Sequence, residues 1–468
     1  MNNPHSRLCR RMAVTLSSTA LLVAGFGCAW PPDAEMVHSD FDTYTPGWPE
    51  SDRVPRVASD GSEWIIAWQG NSRANALAGA DCPTGAVKYT EIYTVHSSDG
   101  GKTWSKPMCR DAGDWNNHPS LASDGQGTWL LVWQAGGAYG SDADIFATTS
   151  TSNAWKQPAP AHAWGQVQPV NDYATTDKAW DGSPEVVWNG KGSWVAVWSS
   201  MQALAGVGSD SDILFSTSPD GMTWSAAQPL NSNAAMDAAS DTSPHIASDG
   251  NGNVVVVWTS TSPLGAAGLG TDQDILTATT DQSFVWSDPL PANTNAASDS
   301  MADGSPRVAH GGDRWHVVWA SNDSLGGTIG TDSDVLVSYR AAEGGWQPPQ
   351  AIATYMTSDT GDDAAPTIAF GHDRLVVTWH SDEDLGGGIG VDADIVMANS
   401  RDNGDTWDFN SVVHRFGKDD IGAADRHPST ATDGNKAWIT AWDSDYPGES
   451  GSNWGLDFDI LMVPFELD

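Results

Sequence analysis

A chain of 468 residues is long enough for two or three ordinary domains, or for one large repeat array. With 22 Lys and Arg against 60 Asp and Glu, the net charge of −38 excludes the basic footprint of a nucleic-acid binder and docking on anionic lipid. The 25 Trp exclude a disordered acidic chain, and no helix-period apolar stripe is present.

The first residues read as an export signal, residues 1–27. Arg7, Arg10 and Arg11 supply a basic start, and Ala13 to Phe26 form an apolar run too short to span a bilayer. Gly27-Cys28-Ala29 reads either as a lipoprotein site with Cys28 acylated or as an ordinary signal-peptidase site. Cys9 leaves with the signal. Cys82 and Cys109 remain, as one disulfide in an oxidising compartment or as two free thiols.

From there the chain is periodic. A Pro ahead of a short apolar strand recurs at Pro55, Pro119, Pro184, Pro244, Pro306, Pro366 and Pro428, at intervals of 64, 65, 60, 62, 60 and 62 residues. Repeats therefore start near residues 53, 117, 182, 242, 304, 364 and 426. After each Pro comes a strand, a turn such as Ser248-Asp249-Gly250-Asn251, and a second strand with Trp at i and i+4, as in Trp64 and Trp68 or Trp194 and Trp198. That spacing places both indoles on one face of a strand. A third strand opens with Asp-x-Asp, as at Asp212-Ile213 or Asp394-Ile395. A fourth is marked by Trp104, Trp155, Trp224, Trp286, Trp346 and Trp407.

Four short strands per repeat of roughly 60 residues, each with its own indoles, predict an all-β, seven-bladed propeller. A blade alone leaves its apolar faces wet, and radial stacking buries them. The seventh repeat ends without a fourth strand, so residues near 30–37 are expected to complete that blade and close the ring as a single domain spanning 28–468.

Ser97-Ser98-Asp99-Gly100-Gly101-Lys102-Thr103-Trp104 and Ser400-Arg401-Asp402-Asn403-Gly404-Asp405-Thr406-Trp407 both carry the pattern Ser-x-Asp-x-Gly-x-Thr-Trp, and Thr217 to Trp224 is a shifted version. The chain thus resembles the Asp-box (bacterial neuraminidase repeat) proteins, the superfamily that includes sialidases. The resemblance covers essentially all of the chain after the signal. It implies that each Asp box is a structural turn between the third and fourth strands, whose Asp caps backbone amides. A sialidase would further need three arginines for the substrate carboxylate, a Tyr nucleophile paired with Glu, and an Asp acid/base. Arg53, two residues before Pro55, and Arg426, before Pro428, match the first arginine's setting, and Arg73 fits a second. Arg53 and Arg426 are equally readable as surface residues balancing acidic loops. The expected acid beside Arg73 is missing, with Gly70 near its place, and Tyr446 and Glu449 are weak candidates for the nucleophile pair.

In such a ring, the loops between second and third strands share one face with the loops between blades. On this chain that face gathers the acid, including Asp237, Asp241, Asp299, Asp303, Asp359, Asp362 and Asp363. Cys82 and Cys109 are also assigned to it. The concentration suits Ca²⁺, a hard ion that takes six to eight oxygens, with Asp332, Asp334, Asp392 and Asp394 as candidate ligands. The other reading gives the Asp-x-Asp pairs a structural role, bonding neighbouring amides or a seryl hydroxyl. The sequence thus supports a monomeric, secreted or envelope-anchored propeller that binds a glycan or an extracellular protein without catalysis, or else a diverged exo-sialidase.

Overall fold

Strands 7–9 residues long form the inner three places of every blade, and the second and third of them are buried on nearly every residue because a blade is packed on both sides. Val254–Ser260 is buried throughout, and Trp194–Ser200 nearly so. The computed structural model describes residues 35–38, 51–70, 89–152, 164–204, 207–208, 210–236, 238–264, 268–270, 272–341, 344–357, 359–385, 390–413, 422–446 and 458–467. All of them belong to one unit, Pro31–Asp468.

The described strands make seven four-stranded antiparallel sheets. Blade three shows the plan: Asp181–Trp188 pairs with Trp194–Ser200, which pairs with Asp212–Ser218, which pairs with the short outer strand Gln228–Pro229. Each first strand contacts the first strands of both neighbouring blades, including that of blade one (Asp52–Ser59) against that of blade seven (Asp425–Thr432), so the ring is closed. Blade seven takes its outer strand from the start of the chain, Glu35–His38, with Glu35 opposite Met462 and Met36 opposite Leu461. The seven-bladed ring and its closure match the sequence expectation.

The core lies between blades. Trp64, Trp68, Trp129, Trp133, Trp194, Trp198, Trp258, Trp319, Trp379, Trp438 and Trp442 are all fully buried. One cluster joins Trp64, Ile66 and Trp68 of blade one to Ile439, Ala441, Ile460 and Met462 of blade seven, across the junction where the chain ends meet.

The Asp boxes form the expected turns. Asp99 accepts bonds from Thr103 N (2.9 Å), Thr103 Oγ1 (2.7 Å) and Ser97 Oγ (2.9 Å), and the Thr103 bonds foremost hold its carboxyl at about 2. Gly101 has φ +83°, and a Cβ there would lie 2.7 Å from Ile439 Cδ1 of blade seven, so the turn docks closely on the preceding blade. Asp402 repeats these bonds with Ser400 and Thr406. The shifted version proves to be a box one residue shorter, Ser218-Pro219-Asp220-Gly221-Met222-Thr223-Trp224, with Asp220 accepting from Thr223 N at 2.7 Å.

The fourth strand marked by Trp104 is Met108–Arg110, and the indole belongs to the turn ahead of it. One expectation needs correction: Cys109 lies within that strand, buried opposite Tyr93, and not in the connection between blades. Its proposed partner Cys82, the segment 1–27, Cys28 and Trp155 lie outside the described residues.

Candidate functional site

Every first strand contains a bulge at its Pro. Register shifts fall between Arg53 and Arg56, Asn117 and Ser120, Gly182 and Glu185, Thr242 and His245, Gly304 and Arg307, Ala364 and Thr367, and Arg426 and Ser429. The residue before each Pro is left-handed with φ between 49° and 54°: Val54, His118, Ser183, Ser243, Ser305, Ala365 and His427. A non-glycine residue held in that region costs about 1–2 kcal/mol, so neighbouring contacts must maintain it. Side chains of the preceding blade hold three of the amides. Val54 N donates to Asp443 Oδ1 (3.2 Å), His118 N to Gln69 Oε1 (2.9 Å) and Ser183 N to Gln134 Oε1 (3.1 Å).

This ring of bulges lines a central cavity of about 210 Å³. The residue after each Pro decides its chemistry. In blades seven, two and four that residue turns to the next blade: Ser429 Oγ, Ser120 Oγ and His245 Nδ1 accept from Val57, Val186 and Val308 amides at 3.1–3.2 Å. In blades one, three and five it is Arg56, Glu185 and Arg307, all lining the cavity. Arg56 Nη2 lies 3.6 Å from Glu185 Oε1, and Ser120 Oγ donates to Glu185 Oε2 at 2.7 Å. Burial foremost, then the Arg56 charge, lowers the Arg307 guanidinium to about 10, which leaves it protonated at neutral pH. Burial, then Arg56, pushes His118 down to about 4, so it is neutral there. Two cations against one carboxylate give this part of an acidic protein a local positive surplus.

Beside the cavity, Trp115 and Trp180 stack at 5.3 Å between ring centroids, with 21° between planes. Trp180 remains 48% exposed. Its carbonyl accepts from Met201 N at 3.0 Å, and an added Cβ on Gly182 would meet both Trp180 Nε1 and Gln134, whose Oε1 holds cavity residue Ser183. The indole pair is therefore rooted at the cavity's edge.

A second constellation lies further out on the same face. Asp142, Asp144 and Asp177 present carboxylate oxygens within 4.8 Å of one another, as do Asp272, Asp274 and Asp299, and Asp332, Asp334 and Asp359. Each set takes two residues from the start of a third strand and one from the connection to the next blade. Burial, then mutual repulsion, raises Asp334 to about 8, Asp299 to about 7 and Asp359 to about 6. In blades two and four a buried Asn satisfies one oxygen of the second Asp. Asn171 Nδ2 donates to Asp144 and Asp181, and Asn293 Nδ2 to Asp274 and Asp303. Blade five has Ala353 at that place, and neither oxygen of the fully buried Asp334 has a hydrogen-bond partner.

The sequence candidates fare differently. The structure joins Asp332 and Asp334 with Asp359, while Asp392 and Asp394 gain no third carboxylate among the described residues. Arg53 is engaged within the ring wall, 3.8 Å from Asp443 and 3.3 Å above the Phe458 ring. Arg426 is exposed, and neither lines the central cavity. Tyr446 is buried in the blade-seven core beside Trp442. Arg73 and Glu449 lie outside the described residues. Sequence reasoning missed Arg56, Glu185, Arg307 and Trp180. The available signal was a charged residue between a repeat Pro and an apolar strand position, as in Pro55-Arg56-Val57 and Pro306-Arg307-Val308.

No protein-family model matches the chain, and no curated protein matches it. Among solved structures it is similar to a Dyadobacter fermentans protein of unknown function, at 11% identity and TM-score 0.49, covering 93% of this chain and 100% of that one. A Penicillium chrysogenum alpha-L-arabinanase complexed with arabinobiose is similar at 12% identity and TM-score 0.46, over 93% and 99% of the two chains. A Trypanosoma rangeli sialidase in complex with the inhibitor DANA is similar at 10% identity and TM-score 0.43, over 93% of this chain and 58% of that one.

Proposed function

We propose that this chain is an exported, non-catalytic binding propeller that takes an acidic sugar of a glycan at the mouth of its central channel. The observation that carries the reading is a half-exposed indole, Trp180, stacked on Trp115 beside a cavity that contains Arg56 and Arg307. An indole face offers apolar contact to a sugar ring, and fixed guanidinium groups offer charge-assisted bonds to its carboxylate. The acidic loop face as a whole repels anions, so the local surplus deep in the channel makes recognition short-ranged and selective.

Binding is favoured over hydrolysis by the state of the one carboxylate that lines the cavity among the described residues. Glu185 is occupied by Arg56 and Ser120, whereas glycosidic cleavage by paired carboxylates needs a second acid across the scissile bond. Export through residues 1–27, acylation of Cys28 and a Cys82–Cys109 bridge belong to the same reading. No helix among the described residues is long and apolar enough to cross a membrane.

The test is a panel of acidic and neutral oligosaccharides titrated against the purified chain. Acidic members should bind, and Trp180→Ala should abolish binding while leaving the melting temperature unchanged. Turnover of a fluorogenic sialoside or arabinoside would overturn the reading in favour of a diverged glycosidase. So would an absence of binding to every acidic member.

A further inference from the structure

We propose that the three carboxylate triads are divalent-cation sites, best matched to Ca²⁺, that clamp the third strand of one blade to the connection entering the next. The geometry is the same in each: carboxylates two residues apart at the start of a third strand meet one from the following connection, with oxygens within 4.8 Å of one another. Spacing extends the set to blade three. There Asp210 and Asp212 repeat the pair, and the sequence has Asp237 four residues ahead of the first-strand Asp241, the spacing of Asp177, Asp299 and Asp359 ahead of Asp181, Asp303 and Asp363. Asp237 itself is outside the described residues. In blade six Ile421 stands four residues ahead of Asp425, and among the described residues no third carboxylate joins Asp392 and Asp394.

One observation independent of the clustering points to a ligand. The side chain of Asp334 is fully buried, faces Asp332 and Asp359, and has no hydrogen-bond partner on either oxygen. Asp359 also has none on either oxygen, and Asp142 Oδ2 and Asp332 Oδ2 are likewise unpartnered. Buried carboxylates in native proteins are paired or coordinate metals, so the fully buried, unpartnered Asp334 facing two half-buried carboxylates fits a cation. The local backbone around each pair repeats as well. A glycine stands two residues before each pair, at Gly140, Gly208, Gly270 and Gly330, and a Cβ there would fall 2.1–2.3 Å from Oδ1 of the first Asp. The first carboxylate is thus folded back over bare backbone in the same way in four blades. Three carboxylates supply up to six hard oxygens, the donor type and number that calcium takes, while magnesium demands stricter octahedral geometry and sheds water reluctantly.

The purified chain, stripped with chelator, should be titrated with CaCl₂ and with MgCl₂ by calorimetry and by thermal unfolding. Calcium is expected to bind with a stoichiometry of three or more, following the triads, and to raise the melting temperature saturably. Magnesium should give a smaller rise. Asp334→Asn should remove one equivalent of calcium and part of that rise, and Asp359→Asn, which changes only a connecting loop, should do the same should the buried variant misfold. The proposal is overturned by the absence of both heat and thermal shift with CaCl₂. Asp359→Asn that retains the full stoichiometry and the full shift would also overturn it.

Discussion

The central channel and the outer rim occupy one face of one ring, yet they handle charge in opposite ways. In the channel, Glu185 lies against Arg56 and takes a bond from Ser120, so its charge is compensated by neighbours on two other blades. At the rim of blade five, Asp334, Asp332 and Asp359 face each other, and no basic side chain among the described residues contributes to the shift of Asp334. The two regions also draw on the repeat differently. The residue after the bulge Pro varies around the ring as Arg56, Ser120, Glu185, His245, Arg307, Thr367 and Ser429, whereas Gly-x-Asp-x-Asp recurs from Gly140 to Asp144 through Gly455 to Asp459. A position that varies from module to module can specify one ligand. A position that stays the same serves the junctions all modules share.

The sharpest way to break this contrast is to neutralise one charge in each region. Arg56→Met should destabilise the chain by about 2 kcal/mol, somewhat less than for a fully buried pair, because it removes the cation paired with Glu185 while the pair keeps some solvent contact and Arg307 still acts on that carboxylate. Asp334→Asn in chelator should instead stabilise it by about 1 kcal/mol, because a buried, unpartnered carboxylate is replaced by a neutral amide. Urea unfolding in chelator measures both. Changes of the same sign would show that channel and rim are not electrostatically distinct.

A pH series separates both regions from the frame that carries them. His316, on the second strand of blade five, is fully buried, with Nε2 3.1 Å from Asn403 Oδ1 of the blade-six Asp box. Burial pushes it down to about 4, with the Asn403 bond opposing and the Arg314 charge, the Gly311 backbone and His310 as lesser influences. The unfolded chain takes up this proton near pH 6.5, the folded chain only near 4. The contribution is therefore present above 6.5, falls as pH drops through that window, and levels off below 4. His316→Gln should flatten the decline between pH 6.5 and 4 in urea midpoints. An unchanged slope would place the acid sensitivity elsewhere, in the channel or at the rim.

How much of this was legible in the sequence follows the same division. The Trp pairs, the Pro period and the Asp boxes are written identically in many modules, and the ring, its closure and the boxes at Asp99 and Asp402 came out as expected. The Asp-x-Asp pairs were visible too, and Asp299 and Asp359 were assigned to the same face, but their meeting with the pairs was not. Asp359 lies 25 positions beyond Asp334, and only the path of the outer strand Gln350–Ala351 brings them together. The channel was the least legible region. A family pattern drew attention to Arg53, whose side chain is spent on Asp443 and Phe458, while the bulge of one extra residue between Arg53 and Arg56 turns Arg56 into the cavity. A backbone irregularity at the Pro decides which arginine faces the channel, and side-chain types alone do not report it.

The smallest expected effect tests whether the channel stores strain that the rim avoids. At the rim, the crowded position ahead of each Asp pair is glycine, as at Gly330. At the channel, the left-handed position is never glycine, and Ser305 holds φ 54° with an exposed side chain. Ser305→Gly removes the Cβ clash and adds freedom to the unfolded chain, so the net gain should be below about 1 kcal/mol. The same change should weaken binding of an acidic oligosaccharide, because the bulge that positions Arg307 two residues later becomes easier to relax. A gain in stability with unaltered affinity would mean that the strained ring supports the wall of the channel without tuning its ligand site. A loss of stability would mean that the contacts of Ser305 outweigh its backbone cost, and the contrast between a strained channel and a relaxed rim would fail.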